Sequence, residues 1–340
     1  MSRAVWLVVA VLLVLPPLSY AWTAVTSTAF LIEFLSGGRW RPLTSITRAP
    51  EVQPLAASAA GRPIPVDLYA TPSLDRPSGL VLVHGITGLG KDDPQLRAAA
   101  TLLARAGWAV AVPTVEGLTV LRLRPEDAGS VAAATRALDA QGYRPVALLA
   151  ISLGSAPTLA AAGEPDVAGR LSAVLALGGY ASARELLRYT LTGAYAFEGA
   201  RGRRPVEEGG IARFAEANVE LVESGGRALV DNRDPDRVDG LIAALPGNTQ
   251  RLLDALSPER TVARLRAPLY LVHGRGDRTV PFTESLRLTR AATAAGRPVR
   301  TVIIGSVGHV DPEARATPVE LLRSWAVFYA FRVNSATVSR

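Results

Sequence analysis

The chain has 340 residues, of which 49% are hydrophobic and 20% charged, so it can bury a large core and disorder throughout is excluded. The net charge of +7 comes from 37 basic and 30 acidic residues, and all the basic residues except Lys91 are arginines. Aromatic residues make up only 6% and are not interleaved with clustered arginines, so we expect no nucleic-acid partner. Without cysteine the chain has no disulfide, thiolate nucleophile or zinc–thiolate site.

The N-terminus differs in character from the rest of the chain. Residues 4–32 carry no charge, a length that as a helix exceeds the ~30 Å hydrocarbon layer of a bilayer. Residues 16–17 are prolines and residues 19–21 place small side chains as a signal-peptide cleavage site does. We predict a single-pass transmembrane anchor over residues 1–35, with a cleaved signal peptide and a secreted protein as the alternative. The arginines after the run outnumber the one before it, so the membrane orientation stays open.

Residues 36–63 contain several glycines and prolines and are interpreted as a linker or lead-in. Short apolar runs then alternate with helix-like segments. The predicted strands are residues 64–69, 80–84, 109–112, 146–151, 171–177, 269–273 and 299–304. The predicted helices are residues 93–106, 125–138, 155–162, 283–295 and 318–331. This alternation predicts an α/β domain over residues 64–332, a mainly parallel sheet with helices on both faces.

The alternation fails between residues 181 and 258. This segment is richer in charge, glycine and proline, contains several aromatic residues, and is helical where it has any pattern. Long insertions of this kind in a compact domain are usually functional. We predict a helical cap that covers the carboxyl ends of the strands.

The most informative motif is Ala150-Ile151-Ser152-Leu153-Gly154, between a predicted strand and a predicted helix. Small residues on both sides of Ser152 allow a sharp turn that lifts the serine oxygen clear of the sheet. The pattern is G-x-S-x-G with alanine in place of the first glycine. Ser152 is therefore a candidate nucleophile, although a serine that merely caps the helix would fit the same position.

A serine hydroxyl needs a base, and the base needs a carboxylate to orient it. His309, one of three histidines, follows a predicted strand in a loop with Gly305 and Gly308. Asp277 follows the strand before that one. Ser152, Asp277 and His309 thus each follow their own strand, at the edge where ligands bind to open α/β sheets. Asp311 is a rival carboxylate, but it is too close in sequence to reach the far side of the imidazole.

The turn His84-Gly85-Ile86 ends the strand before the glycine-rich segment. We predict that the backbone N–H groups of Ile86 and Leu153 form the oxyanion hole. Gly85 would allow the close approach, and His84 would hold the turn. His273 is interpreted as structural in the same way.

Over about residues 62–332 the sequence resembles the α/β-hydrolase superfamily. The resemblance rests on the His84-Gly85 turn, the Ser152 motif, the segment from His273 through Asp277 to Pro281, the Gly308-His309 loop and the cap insertion. Within the superfamily it suggests serine hydrolases of the esterase or lipase kind, including membrane-associated bacterial ones. It implies Ser152 as nucleophile, Asp277 as orienting acid and His309 as base.

Two other classes compete with this interpretation. Residues 85–91 fit the phosphate-binding pattern G-x-x-x-x-G-K, but Asp92 replaces the Ser or Thr that would hold magnesium. Mutating Lys91 would separate the two classes, because a hydrolase would survive the change. The other class is a membrane-tethered binding protein that has the fold without activity.

The sequence therefore predicts a serine hydrolase that cleaves a carboxylic ester through an acyl-enzyme. Acyl transfer, thioester hydrolysis and amide or peptide hydrolysis would use the same residues and stay open. The expected partners are a small or lipid-like ester and a membrane, with no metal and no cofactor.

Overall fold

A computed structural model describes residues 18–72, 77–219, 225–305 and 317–336. The strands are β1 (Glu51–Pro54), β2 (Ser58–Ala59), β3 (Arg62–Pro63), β4 (Val66–Ala70), β5 (Ser78–Val83), β6 (Trp108–Pro113), β7 (Val146–Ile151), β8 (Leu171–Leu177), β9 (Ala194–Phe197), β10 (Ala200–Arg203), β11 (Leu269–Gly274) and β12 (Val299–Ile304). The helices are α1 (Leu18–Leu35), α2 (Pro42–Ile46), α3 (Pro94–Arg105), α4 (Glu116–Thr119), α5 (Ala128–Ala140), α6 (Ser155–Ala162), α7 (Pro165–Ala168), α8 (Ala183–Thr192), α9 (Glu208–Ala217), α10 (Arg227–Val230), α11 (Val238–Ala243), α12 (Gly247–Ala255), α13 (Thr283–Ala294) and α14 (Pro318–Ala336).

Eight strands form one sheet in the order β1-β4-β6-β5-β7-β8-β11-β12. The six strands from β6 to β12 in this order are parallel, and β4 and β1 are added at one edge by antiparallel pairing. In register, Val83 at the end of β5 lies beside Ala150, and Ile151 at the end of β7 lies beside Leu177. The carboxyl ends of the parallel strands therefore meet at one edge of the sheet.

Helices cover both faces of the sheet. The central strands β5, β6 and β7 are almost wholly buried, which explains their continuous apolar sequences. One face packs against α5, α6 and α13, and the other packs against α1, α3 and α14. The predicted α/β class with a mainly parallel sheet is confirmed, and the predicted bounds of β7, β8, β12 and α6 agree with the structure.

The segment predicted as an anchor overlaps α1, which packs on the folded domain. Phe30 stacks on Phe328 of α14 with ring centroids 4.6 Å apart. Arg332 of α14 is buried and donates to the hydroxyl groups of Thr26 (2.7 Å) and Ser27 (3.0 Å). Burial lowers the pKa of Arg332 to about 10. In the described ranges, no helix is both long and apolar enough to cross a membrane.

The lead-in predicted over residues 36–63 requires a correction. Residues Glu51–Pro54 form β1, which pairs with β4, so the sheet begins before residue 64. All four side chains of β1 are exposed, as expected for a strand at the edge of the sheet. The short strands β2 and β3 and the helix α2 also lie within this range.

The insertion between β8 and β11 contains α8 and α9 to α12, in agreement with the predicted helical segment. It also contains an antiparallel hairpin, β9–β10, which was not predicted. The hairpin packs on α13 through Arg287, whose guanidinium lies over the ring of Phe197. We refer to residues 181–258 as the cap.

Candidate active site

Ser152 lies in a strained turn at the end of β7. Its φ is +53°, in the left-handed region that residues with a side chain rarely adopt. A 3₁₀ turn over Ser152–Gly154 follows and continues into α6. Backbone strain of this kind concentrates at functional positions, where the surrounding structure maintains it. The side chain of Ser152 is buried.

Small residues make this turn possible. A Cβ atom on Gly154 would lie under 3.0 Å from the carbonyl oxygen of His84, closer than any side chain tolerates. A Cβ atom on Gly85 would lie 3.1 Å from that of Ser152. Ala150 stands where the G-x-S-x-G pattern has its first glycine, and its methyl group is fully buried in the core. The substitution of alanine for glycine is therefore accommodated by packing.

The residues predicted to supply the oxyanion hole lie near Ser152. Ile86 follows the Gly85 turn, and Leu153 lies within the first turn after Ser152, where backbone N–H groups have no partner inside the helix. Both residues line the same cavity. Their role as N–H donors stays a prediction.

His84 is buried with both ring nitrogens engaged. The N–H of Val115 donates to Nε2 at 3.0 Å, and Nδ1 lies 2.6 Å from the carbonyl oxygen of Gly85. Nε2 must therefore be unprotonated, with the proton on Nδ1. Burial lowers the pKa of His84, which also favours the neutral ring. The ring fixes the turn, and it offers no free nitrogen to Ser152.

Asp277 is buried in the turn after β11. Its Oδ1 accepts from the N–H groups of Thr279 (2.8 Å) and Val280 (3.0 Å). Its Oδ2 lies 3.4 Å from Nε2 of His273, a nitrogen that is also 3.0 Å from the carbonyl oxygen of Val280. The other ring nitrogen of His273 pairs with the hydroxyl of Ser285 at 2.7 Å. Both ring nitrogens of His273 therefore have partners, one in this turn and one in α13. The two backbone N–H groups fix the orientation of the Asp277 carboxylate.

His309 and its rival partner Asp311 lie outside the described residues. The strand that precedes them in the chain, β12, pairs in parallel with β11, so its carboxyl end lies at the edge of the sheet that carries Ser152 and Asp277. The role of His309 as base stays a prediction. It is the histidine left over once His84 and His273 have been assigned to structural positions.

A cavity of about 430 Å³ lies beneath the cap, and its wall includes Leu153, the residue after Ser152, but not Ser152 itself. Its wall is mainly aliphatic, with Leu153 and Ile86 on the sheet side and leucines of α8 and α12 on the cap side. The charged residues on the wall, Glu207, Arg213 and Arg278, are all exposed and so mark the mouth. Such a cavity suits an apolar group bound next to Ser152.

The cap also binds the loop that carries Asp277, a relationship that the sequence analysis missed. Arg204, just after β10, donates to the carbonyl oxygens of Arg275 (2.6 Å) and Gly276 (2.5 Å). The hydroxyl of Tyr189 donates to the carbonyl oxygen of Arg278 at 3.0 Å. Cap side chains therefore hold the backbone on both sides of Asp277. Because the acceptors are backbone groups distant in sequence, no local motif indicates these contacts.

A second missed residue is Glu284, in the first turn of α13. Its carboxylate is buried and accepts from the N–H groups of Ala181 (3.0 Å) and Ser182 (2.9 Å), where the chain enters the cap. Arg287 lies 3.2 Å from its other oxygen. Burial raises the pKa of Glu284 to about 7. The entry to the cap is thus fixed by a carboxyl group that titrates near neutral pH.

Lys91, the lysine of the phosphate-binding pattern, is paired within the protein. Its Nζ lies 3.0 Å from carboxylate oxygens of both Asp67 and Asp92. Two adjacent carboxylates would repel a phosphate at this position. The geometry therefore disfavours a nucleotide site here.

No protein-family model matches the sequence, and neither does any curated protein. Solved structures do resemble it. A puromycin-hydrolysing peptidase from Mycobacterium tuberculosis is 21% identical, with a TM-score of 0.58 over 86% of this chain and 40% of that one. The acylaminoacyl peptidase of Pyrococcus horikoshii is 16% identical, with a TM-score of 0.58 over 88% of this chain and 44% of that one. A 2,6-dihydroxy-pseudo-oxynicotine hydrolase is 17% identical, with a TM-score of 0.55 over 91% and 74%.

These similarities concern the fold of the chain. The chain has the α/β-hydrolase fold, as the motifs predicted. It spans less than half the length of the two peptidases.

Proposed function

We propose that the protein is a serine hydrolase that cleaves carboxylic esters with an apolar acyl group. The observation that carries the proposal is the left-handed φ of Ser152 at the β7–α6 turn, where the next residue, Leu153, lines an apolar cavity. A serine that merely capped a helix would need no such strain.

In the proposed reaction, the Ser152 oxygen attacks the ester carbonyl while His309 accepts the hydroxyl proton. The N–H groups of Ile86 and Leu153 stabilise the oxyanion, and Asp277 orients the imidazolium that forms. The C–O bond breaks, the leaving alcohol takes the proton from His309, and an acyl-enzyme remains. A water molecule, activated by His309, then releases the acid and restores Ser152.

The cavity supports an apolar acyl group as the recognised part of the substrate. Aliphatic side chains from the cap and the sheet line it, and its charged residues lie at the mouth. Burying a chain of methylene groups is favourable by about 0.8 kcal/mol per group. We therefore expect turnover to rise with acyl-chain length until the cavity of about 430 Å³ is filled.

The test is labelling of the full chain with a fluorophosphonate probe, followed by turnover of p-nitrophenyl esters of increasing acyl length. Ser152→Ala and His309→Ala should both abolish labelling and turnover. Ser155→Ala is the matched control. Ser155 is buried three residues after Ser152, and its hydroxyl oxygen accepts from the backbone N–H of Tyr180 at 3.3 Å. Folded wild-type protein that shows neither labelling nor turnover would contradict the proposal and favour a binding protein.

Amide hydrolysis is the second candidate function. The names of two structural neighbours, both peptidases, favour it, although those chains are about twice as long. The ester panel is therefore paired with acyl and aminoacyl p-nitroanilides. Faster turnover of the anilides than of the matched esters would favour the peptidase candidate.

A further inference from the structure

Helices α1 and α14 expose apolar side chains on the outer side of one helix layer. The exposed fractions run from 40% to 64% for Trp22, Val25 and Ile32 of α1 and for Val319, Leu321 and Leu322 of α14. We call these six residues the α1–α14 face. Soluble proteins rarely expose a contiguous apolar surface of this kind without a partner.

The two halves of this face are continuous. Val25, Thr28 and Ile32 are spaced by three and four residues, so they lie along one side of α1. The indole N–H of Trp325 in α14 donates to the hydroxyl of Thr28 at 3.0 Å, which joins the two helices along that side. Trp325 also stacks on Tyr329, with ring centroids 5.0 Å apart. Aromatic side chains therefore lie at the seam of the face.

Each helix turns one charged side chain inward, while Arg323 of α14 is exposed. Glu33, the one charged residue of α1, is buried and accepts from the N–H of Thr44 at 2.9 Å. Arg332 of α14 is buried against α1 and lies over the ring of Trp108. Buried charges are costly, so this arrangement is difficult to explain by stability alone. Because Glu33 is buried, the outer side of α1 carries no charge.

Positive charge borders the face. The loop after α1 presents Arg39, Trp40 and Arg41, all exposed, with Trp40 68% exposed. Tryptophan beside arginine suits the boundary between lipid headgroups and acyl chains. In the sequence before α1, residues 4–15 are uncharged and apolar.

We infer that the α1–α14 face lies on the surface of a lipid bilayer, with its apolar side chains among the headgroups and the bordering Arg39 and Arg41 near anionic lipids. The inference concerns an interfacial contact of the folded domain and does not depend on the proposed catalysis. Glu320, in the first turn of α14, accepts from the N–H of Gly305 at the end of β12. The face therefore extends to the sheet edge that carries the candidate site, and a bilayer there would bring lipophilic compounds close to the cavity.

The experiment uses the absence of native cysteine. The full chain is labelled with an environment-sensitive NBD dye at Ile32→Cys or at Leu322→Cys. The matched control is Val52→Cys, on the exposed edge strand β1. Each protein is mixed with phosphatidylcholine vesicles that contain about a quarter phosphatidylglycerol. We expect a blue shift and quenching by doxyl lipids at Ile32→Cys and Leu322→Cys, and neither at Val52→Cys.

Three outcomes would overturn the inference. In the first, the protein fails to bind the vesicles. In the second, it binds, but the dyes at positions 32 and 322 show the same emission as in water without vesicles. The third outcome is a blue shift at both positions that rises with protein concentration without vesicles, which would assign the face to a second copy of the chain. Because the dyes report on the face itself, binding through residues 4–15 alone would leave them in water and be recognised.

Discussion

The carbonyl oxygen of His84 lies against the α-carbon of Gly154 so closely that no side chain fits between them. His84 begins the turn after β5, and Gly154 ends the turn that carries Ser152. This contact locks the turn with the candidate oxyanion donor Ile86 against the turn with the candidate nucleophile. The imidazole of His84 holds the first turn from behind, through Gly85 and Val115.

Gly154→Ala should therefore separate the two turns. The new methyl group would meet a backbone oxygen, which cannot move aside as a flexible side chain can. We expect a loss of about 1–3 kcal/mol in the free energy of unfolding, and a larger proportional loss of ester turnover. Urea unfolding and turnover of the best ester measure both effects.

Gly88→Ala is the matched control. Gly88 lies in the same glycine-rich segment, but a Cβ there would meet nothing within 4 Å, and its φ is not in the left-handed region. This variant should be as stable as the wild type or slightly more stable, because alanine restricts the unfolded chain. If both variants lose stability equally, crowding against His84 is not the cause of the loss.

The strain at Ser152 predicts a difference between two inactive variants. Ser152→Ala keeps a Cβ atom at φ +53°, whereas Ser152→Gly removes it and relieves the strain. Both should lose labelling by a fluorophosphonate, and Ser152→Gly should be more stable than Ser152→Ala by about 1 kcal/mol. Thermal and urea unfolding compare them. Equal stability would show that the turn stores no strain at this residue.

The sheet could be predicted from the sequence because its strands are buried on both faces and have continuous apolar runs. Residues 146–151 are such a run, and the structure gives them the same bounds. The edge strand β1 could not be predicted, since all four of its side chains are exposed and its pairing with β4 involves only the backbone.

Other features depend on contacts between residues distant in sequence. The uncharged run that overlaps α1 fits an anchor as well as a packed helix, and Arg332, some 300 residues away, is what binds its hydroxyl groups. The motif around Ser152 was visible because strand, turn and helix are local. Arg204 and Glu284 carry no motif, because each binds backbone groups of another element.

Arg204 is expected to position the Asp277 loop from the cap. Arg204→Ala removes two hydrogen bonds to the carbonyl oxygens of Arg275 and Gly276. The carboxylate would then be less well fixed, and we expect kcat to fall by about 10-fold or more with a smaller change in KM. Steady-state kinetics with one ester separates the two constants.

Arg201→Ala, in the same hairpin, controls for loss of a positive charge, because Arg201 is exposed. It should leave kcat within about twofold of the wild-type value. An Arg204→Ala enzyme with unchanged kcat would mean that the hairpin does not hold the acid loop.

Glu284 should make stability depend on pH. Burial raises the pKa of Glu284 from 4.5 to about 7 in the folded protein. Between these two pH values the folded state therefore keeps a proton that the unfolded state has lost. This contribution to stability is fully present below about pH 4.5 and is lost as the pH rises to about 7. It amounts to about 3 kcal/mol. Glu284→Gln lacks the titration and keeps an oxygen that can accept from Ala181 or Ser182.

The difference in unfolding free energy between wild type and Glu284→Gln should therefore move in favour of the variant from pH 5 to pH 8, by a few kcal/mol. Urea unfolding at each pH measures it. The control is Glu198→Gln, which removes an exposed carboxylate of the β9–β10 hairpin that pairs with Arg290 of α13. The difference in unfolding free energy between wild type and this variant should hardly change with pH. If the Glu284→Gln difference is equally flat, the carboxylate of Glu284 is ionised throughout this range. The two backbone N–H groups and Arg287 would then outweigh its burial, and the cap entry would be held by a permanent negative charge.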